Sequence, residues 1–169
     1  MLKKLSHYLI EATRYNDSRI ANRIRAKCYK NLVNVYGESI KIKSGVIIKE
    51  PYNLNLGNKI SIQENCFFSC IGGLEIGDNV SFATGTKIFT SRHPYEYGII
   101  RDNKLSLEGV KIGSNIWVGA DTKILAGVII EDRVVIAAGS VVTKNCMTNG
   151  VYAGVPAKLI KKIGNNDNI

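Results

Sequence analysis

The chain has 169 residues, 45% of them apolar and 22% charged, a composition that excludes a disordered polymer and suits one domain with a sizeable core. No apolar run reaches the length of a membrane span. The basic N-terminus, MLKKLSHYLIEATRY, lacks a continuous apolar stretch and a small-residue cleavage site, so no export signal is expected and a cytoplasmic location is. The formal net charge of +9 fits a solvated basic surface, a polyanionic partner or a phosphorylated cofactor; nucleic acid is not expected, because no interleaved basic–aromatic motif accompanies the charge.

Residues 1–35 form the first segment. Leu2, Leu5, Leu9 and Ala12 fall at helical spacing, and Ile20, Ile24, Cys28 and Leu32 do so again, with Asp17-Ser18 as a cap between them. Two short amphipathic helices are expected, with Lys3, Lys4, Arg14, Arg19, Arg23, Arg25, Lys27 and Lys30 on a solvent face; contact with an anionic membrane surface is the alternative use of those cations.

Residues 36–155 read as one repeat domain. Ile76, Phe82 and Ile88 are six apart, as are Ile112, Val118, Ile124, Ile130, Ile136 and Val142. Residues four places after these anchors are mostly small or β-branched, as at Thr86, Thr122 and Ser140, and Gly or Ala follows many anchors. An earlier set, Leu56, Ile62, Phe68 and Leu74, is offset in phase by two. A period of six matches neither a helix nor a simple alternating strand. It matches short strands joined by sharp turns, with turn residues at Asn58, Asp78-Asn79, Ser114-Asn115 and Asp132-Arg133. Three hexads make a coil, and stacked coils bury one apolar column.

Residues 94–109, PYEYGIIRDNKLSLEG, interrupt the repeat as a polar protruding loop that starts directly after His93, yet Ile88 and Ile112 stay in phase across it. In the last segment, 156–169, VPAKLIKKI reads as a C-terminal capping helix and GNNDNI as a frayed tail. The four cysteines make no CxxC pair with a nearby His, so buried free thiols are expected and no metal site is.

The motifs TSRHPYEYG, IGSNIWVG, AAGSVVTK and GVPAK occur in this order, and with the repeats over residues 56–163 they resemble the hexapeptide-repeat acyltransferases. Within them the chain is similar to maltose/galactoside O-acetyltransferases and to the O-acetyltransferases of polysaccharide assembly. The resemblance implies an all-β fold, a left-handed parallel β-helix, a homotrimer with active sites between subunits, and acetyl-CoA as co-substrate. It further implies His93 as the catalytic base and Trp117 as a wall of the acetyl-CoA channel. The N–H of Ala120 would face the thioester carbonyl. Ala138, Thr143 and Lys144 would lie along the pantetheine and phosphate path, and Lys158 and Lys161 near the CoA phosphates. On the acceptor side, Gln63 occupies the position of an acceptor-binding Asn, and the neighbouring Asn65 is the alternative.

The chemistry asked of these residues is consistent with their types. A sugar hydroxyl is a weak nucleophile until a base takes its proton, and an imidazole with an unperturbed pKa near 6.5 suits that role. The other histidine, His7, falls on the basic N-terminal helix and reads as a surface or packing residue. Direct transfer needs no acyl-enzyme; Cys66 and Cys70 are the nucleophile candidates of the alternative, with no base placed beside them. Asp102, Glu108 or a backbone carbonyl would orient the imidazole. The leading expectation is a saccharide O-acetyltransferase, with membrane contact only if the acceptor is lipid-linked. The alternatives are N-acetylation of an amino sugar, acetylation of an antibiotic, or a non-catalytic binding module.

Overall fold

The structure, a computed structural model, describes residues 2–100 and 104–164. It opens with α1 (Leu2–Thr13) and α2 (Arg19–Lys30). The first coil follows as β1 (Val35–Tyr36), β2 (Lys41–Ile42) and β3 (Ile47–Lys49). The second is β4 (Leu54–Leu56), β5 (Ser61–Ile62) and β6 (Phe67–Ser69), and the third is β7 (Leu74–Ile76), β8 (Val80–Phe82) and β9 (Lys87–Phe89). An excursion then carries β10 (Ser91–Arg92), β11 (Tyr95–Glu96), β12 (Ile99–Ile100) and β13 (Ser106–Leu107). The fourth coil is β14 (Val110–Ile112), β15 (Ile116–Val118) and β16 (Lys123–Ile124), and the fifth is β17 (Ile129–Ile130), β18 (Val134–Ile136) and β19 (Val141–Val142). The chain ends in β20 (Gly150–Gly154) and β21 (Ala157–Lys162).

Stacking the coils makes a three-sided prism. The first face runs β1-β4-β7-β14-β17, the second β2-β5-β8-β15-β18-β20-β21, and the third β3-β6-β9-β16-β19. The hexad anchors pair with one another from coil to coil: Phe82 with Val118 and Val118 with Ile136 on the second face, Ile88 with Ile124 and Ile124 with Val142 on the third. All of these are buried. Removing each such aliphatic side chain from water contributes about 1.5–3 kcal/mol. Phe68 and Phe82 meet edge to face at 5.1 Å inside the prism.

The phase offset has a physical origin at the third corner, where the third face turns back to the first. Leu56 pairs with Ile76, twenty residues on, whereas Ile112 pairs with Ile130, eighteen on. The two extra residues fall in the turn around Gly72 and Gly73, the latter at φ +95°. Leu74 therefore is not a fourth anchor of the earlier set: it lies on the same strand as Ile76 and pairs with Leu54. At the first corner, Ser39, Lys59, Asn79, Asn115, Arg133 and Asn149 stack with φ between 56° and 59°. Side chains of the next coil hold this left-handed column: Asn58 N–H donates to Asp78 Oδ1 (2.6 Å) and Ser114 N–H to Asp132 Oδ1 (2.7 Å).

Three expectations need correction. The C-terminal capping helix is instead the strand β21, antiparallel to β20. Its backbone groups find partners on the open edge of the second face, whereas an isolated helix this short is marginal. Leu2 and Leu5 of α1 are exposed, and the buried face of that helix is Ser6 and Ile10. Arg25 is not on a solvent face: it is wholly buried, and its guanidinium donates to the carbonyls of Thr13 and Asn16 and to Asn22 Oδ1, joining the end of α1 to α2. Burial lowers its pKa. Ser18 is the N-cap of α2, its Oγ accepting from Ala21 N–H at 3.2 Å.

Candidate active site

The excursion that carries His93 is anchored more firmly than its polar sequence indicates. Thr90, buried at the third corner, donates through Oγ1 to Ser69 O (2.8 Å) and accepts from Gly72 N–H (2.8 Å). Glu108 N–H closes the stem on Thr90 O (2.9 Å), and Gly127 N–H donates to Glu108 O (3.0 Å). Between these points β10 pairs antiparallel with β13, and β11 with β12 around a turn at Tyr97 and Gly98. Residues 94–109 are thus built from hairpins over their described part. His93 follows β10 directly and its side chain is exposed.

Among the described residues no hydrogen bond to the imidazole is present. Glu108 is committed elsewhere: its Oε1 accepts from Arg92 Nε (2.9 Å) and Ser106 Oγ (2.8 Å). The Ser106 bond, then the Arg92 bond, hold its carboxyl below the usual carboxylate range. Asp102, the other orienting candidate, lies outside the described residues. Beside the Arg92–Glu108 pair runs a cleft of about 370 Å³, reaching Leu125, Ala126 and Thr143. Lys144 follows Thr143 and is exposed.

The other expected residues collect elsewhere. Trp117 lies on the outer surface of β15, 53% exposed, with Ser81 and Val135 as its register neighbours. Ala120 and Ala138 stack at the second corner, between the second and third faces, where Gly139 N–H donates to Ala120 O (2.7 Å). Among the described residues the N–H groups of Ala120 and Ala138 have no backbone acceptor, so both remain as donors for an incoming oxyanion or amide. The corner is tight: a Cβ on Gly119 would stand 2.5 Å from Ala138 N.

Lys158 and Lys161 are three apart, a spacing that in a regular strand sends them to opposite faces. A β-bulge resolves this. Lys161 pairs with Val151 and Lys158 with Ala153, the register shifting between Val151 and Tyr152, so both lysines share the outer surface that carries Trp117. On the acceptor side, Gln63 is half-buried at the second corner, its Nε2 donating to Ser61 Oγ (2.8 Å). Asn65 is a turn residue at φ 59°, packed over Gly45 of the coil below.

The candidates therefore form two sets. His93, Thr143 and Lys144 gather at the third corner. Trp117, Ala120, Ala138, Gln63, Lys158 and Lys161 gather on the second face and second corner. One prism face separates the sets, six residues or up to about 20 Å of chain. The Arg92–Glu108 latch was not foreseen; the only trace in the sequence was an acidic residue near the end of the polar loop. Cys66, Cys70 and Cys146 are buried free thiols, pushed up by desolvation to about 11, 12 and 12 respectively, which disfavours the nucleophilic thiolate at neutral pH. Among the described residues no helix is long and apolar enough to cross a membrane.

Hexad coils, an exposed His on an excursion and a corner of free N–H donors define a hexapeptide-repeat acyltransferase. The comparisons agree. Residues 109–144 match the family model "Bacterial transferase hexapeptide (six repeats)". Galactoside O-acetyltransferase of Escherichia coli K12 is 30% identical over 143 residues, 85% of this chain and 70% of that protein; against further curated relatives the chain spans 55–58% of their length. The crystal structure of a maltose O-acetyltransferase from Clostridium difficile 630 superposes with a TM-score of 0.82 at 30% identity, covering 96% of this chain and 86% of that one. A galactoside acetyltransferase in complex with coenzyme A superposes with a TM-score of 0.85 at 27% identity, covering 98% and 82%. The chain belongs to the hexapeptide-repeat acyltransferase family, with its left-handed β-helix fold, and the class this defines is the acetyl-CoA-dependent O-acetyltransferases.

Proposed function

We propose that the protein carries acetyl from acetyl-CoA to a hydroxyl of a saccharide in cytoplasmic polysaccharide assembly, with His93 as general base, in crevices between the copies of a closed homotrimer. The observation that carries this reading is the division of the site residues into two sets at opposite ends of the third face. In a ring of three copies, the third corner of one copy meets the second corner of the next, and each contact completes one site. The galactoside and maltose enzymes named above favour a sugar as acceptor.

In the reaction, the acceptor hydroxyl gives its proton to His93 as its oxygen attacks the thioester carbon. The charge that develops on the carbonyl oxygen is met by the N–H of Ala120. The C–S bond then breaks, and the departing thiolate takes the proton from His93. The products are an acetyl ester and the CoA thiol, with no covalent enzyme intermediate. Trp117 walls the donor's path, Ala138 and Thr143 line it, and Lys144, Lys158 and Lys161 offset the charge of its phosphates. The lysines at 158 and 161 supply charge without the bidentate fork of an arginine. Gln63 contacts the acceptor.

The test is complementation between copies. The His93→Ala and Trp117→Ala chains are purified separately and also after co-expression, and CoA release is measured with saccharide hydroxyl and amino acceptors. Random mixing of two chains in a ring that shares its sites restores roughly a quarter of the sites. A rate no higher than the mean of the two separate variants overturns the shared site. CoA release with amino but not hydroxyl acceptors overturns O-acetylation.

A further inference from the structure

The helix α2 does not lie flush on the prism. Between it and the outer surface of β2 runs a groove of about 290 Å³ that Ile40 helps to line. Arg19 and Arg23 line it from the helix, and Lys41 and Lys43 from the strand. Among the described residues, Arg19, Arg23 and Lys41 have no carboxylate partner, while Lys43 faces Asp17 Oδ1 at 3.9 Å and Glu64 Oε1 at 3.7 Å. Four cations thus meet two carboxylates, and both carboxylates lie on one lysine.

This arrangement costs the fold something. Arg19 and Arg23 sit in the first two turns of α2, at the positive end of its dipole, where acidic residues stabilise and cations do not. The first turn of α2 holds no acidic residue. Asn22, between the two arginines, also lines the groove.

The groove is continuous with the second face. Lys41 is the register neighbour of Ser61, Ser61 of Ser81, and Ser81 of Trp117. Their side chains form one outer column, and Gln63 bonds to Ser61 within it. Three strand spacings, about 14 Å, separate Lys41 from Trp117. Donor-side and acceptor-side candidates thus occupy one surface whose lower end is strongly positive.

We propose that this groove is an anion subsite for the acceptor. It holds a phosphate or carboxylate borne by the saccharide whose hydroxyl is acetylated, so the substrate is an anionic sugar and not a neutral one. This rests on the transfer reading above for what happens at the other end of the column.

The experiment reads binding without turnover. The His93→Ala protein, saturated with CoA so that the donor site is filled, is titrated by calorimetry with galactose 1-phosphate, UDP-galactose, trigalacturonate and methyl galactoside. At least one anionic probe is expected to bind tenfold or more tightly than the neutral galactoside, and which one binds separates phosphate from carboxylate. In the His93→Ala protein that also carries Arg23→Ala and Lys41→Ala, that difference collapses. Removing two cations from the upper coils, by Lys111→Ala and Arg133→Ala, leaves it in place. Circular dichroism of each variant shows whether it is folded. Equal binding of all four probes overturns the subsite, as does a preference that survives Arg23→Ala and Lys41→Ala. Because these outcomes need no catalysis, they are separable from failure of the transferase reading, which rests on CoA release.

Discussion

Gly119 closes the second corner one residue before Ala120, and Gly119→Ala tests the reading of that corner with a single methyl group. The Cβ would stand 2.5 Å from Ala138 N and 2.9 Å from Ala137 C. Both are main-chain atoms of the coil above and have no rotamer by which to retreat. Comfortable contact begins near about 3.5 Å, so the fourth and fifth coils must part by about 1 Å. The corner is tied by Gly139 N–H to Ala120 O (2.7 Å) and Gly119 N–H to Ile136 O (2.8 Å), and that displacement takes both beyond hydrogen-bonding range. Overpacking costs about 1–3 kcal/mol and each weakened bond about 1 kcal/mol, so a loss of about 2–4 kcal/mol is expected. The N–H groups of Ala120 and Ala138 move apart with the coils, so KM for acetyl-CoA is expected to rise by about tenfold, near 1.4 kcal/mol. Gly139→Ala is the comparison: it sits at φ +70° with nothing within 4 Å, so it costs about 1–2 kcal/mol of backbone strain without parting the coils. Urea unfolding followed by circular dichroism, with CoA-release kinetics on both variants, reads the two quantities. A Gly119→Ala protein with unchanged stability and unchanged KM refutes the argument.

Replacing His93 with Ala is expected to lower kcat by about two to four orders of magnitude, with little change in acetyl-CoA binding; an unaltered rate rules out the general-base role. Lys144→Ala is expected to raise KM for acetyl-CoA more than KM for the acceptor, and the opposite split removes Lys144 from the donor path. The buried thiols set an alkaline limit. Below the ordinary thiol value of 9.0 they are protonated in the folded and unfolded chain alike and their contribution is intact. Above it the unfolded chain ionises first, so stability falls as pH rises toward the folded values of about 11 to 12, by up to about 1.4 kcal/mol per pH unit per thiol. Cys70→Ala is expected to flatten that slope, measured as urea midpoints at pH 8 to 10.5; an unchanged slope refutes the linkage.

The prism was legible because a period of six is enforced by geometry at every coil. An anchor such as Val118 is walled in by Phe82 below and Ile136 above, and no polar residue survives there. The residues at the turns were legible for the same reason, since Asn79 and Asn115 stand where the left-handed region is required. What failed depends on contacts remote in sequence. Arg25 looked like one solvated cation among eight, and only the returning end of α1 makes it a buried donor. Lys158 and Lys161 carry helical spacing, and only the free edge of the second face turns that spacing into a bulged strand. The groove at α2 is invisible along the chain, because Arg23 and Lys41 meet across a docking of helix on strand. The sequence offers Trp117 and Thr143 as candidates one by one. Their separation by a whole face was not legible, because the sequence states position along the chain and not around a prism.

The excursion departs after β9 and returns before β14, while Lys87 and Ile88 pair with Lys123 and Ile124 as directly as if nothing had been inserted. It lengthens that coil step to thirty-six residues, twice the eighteen between Ile112 and Ile130, and both its ends are pinned within a few residues of Thr90. The pairing of coil with coil therefore does not run through the arm between its anchored ends. On the reading proposed above, substitutions at the tip of the arm change what His93 meets while the coil pairing beneath it stays as it is, so the choice of acceptor resides in one exchangeable cassette.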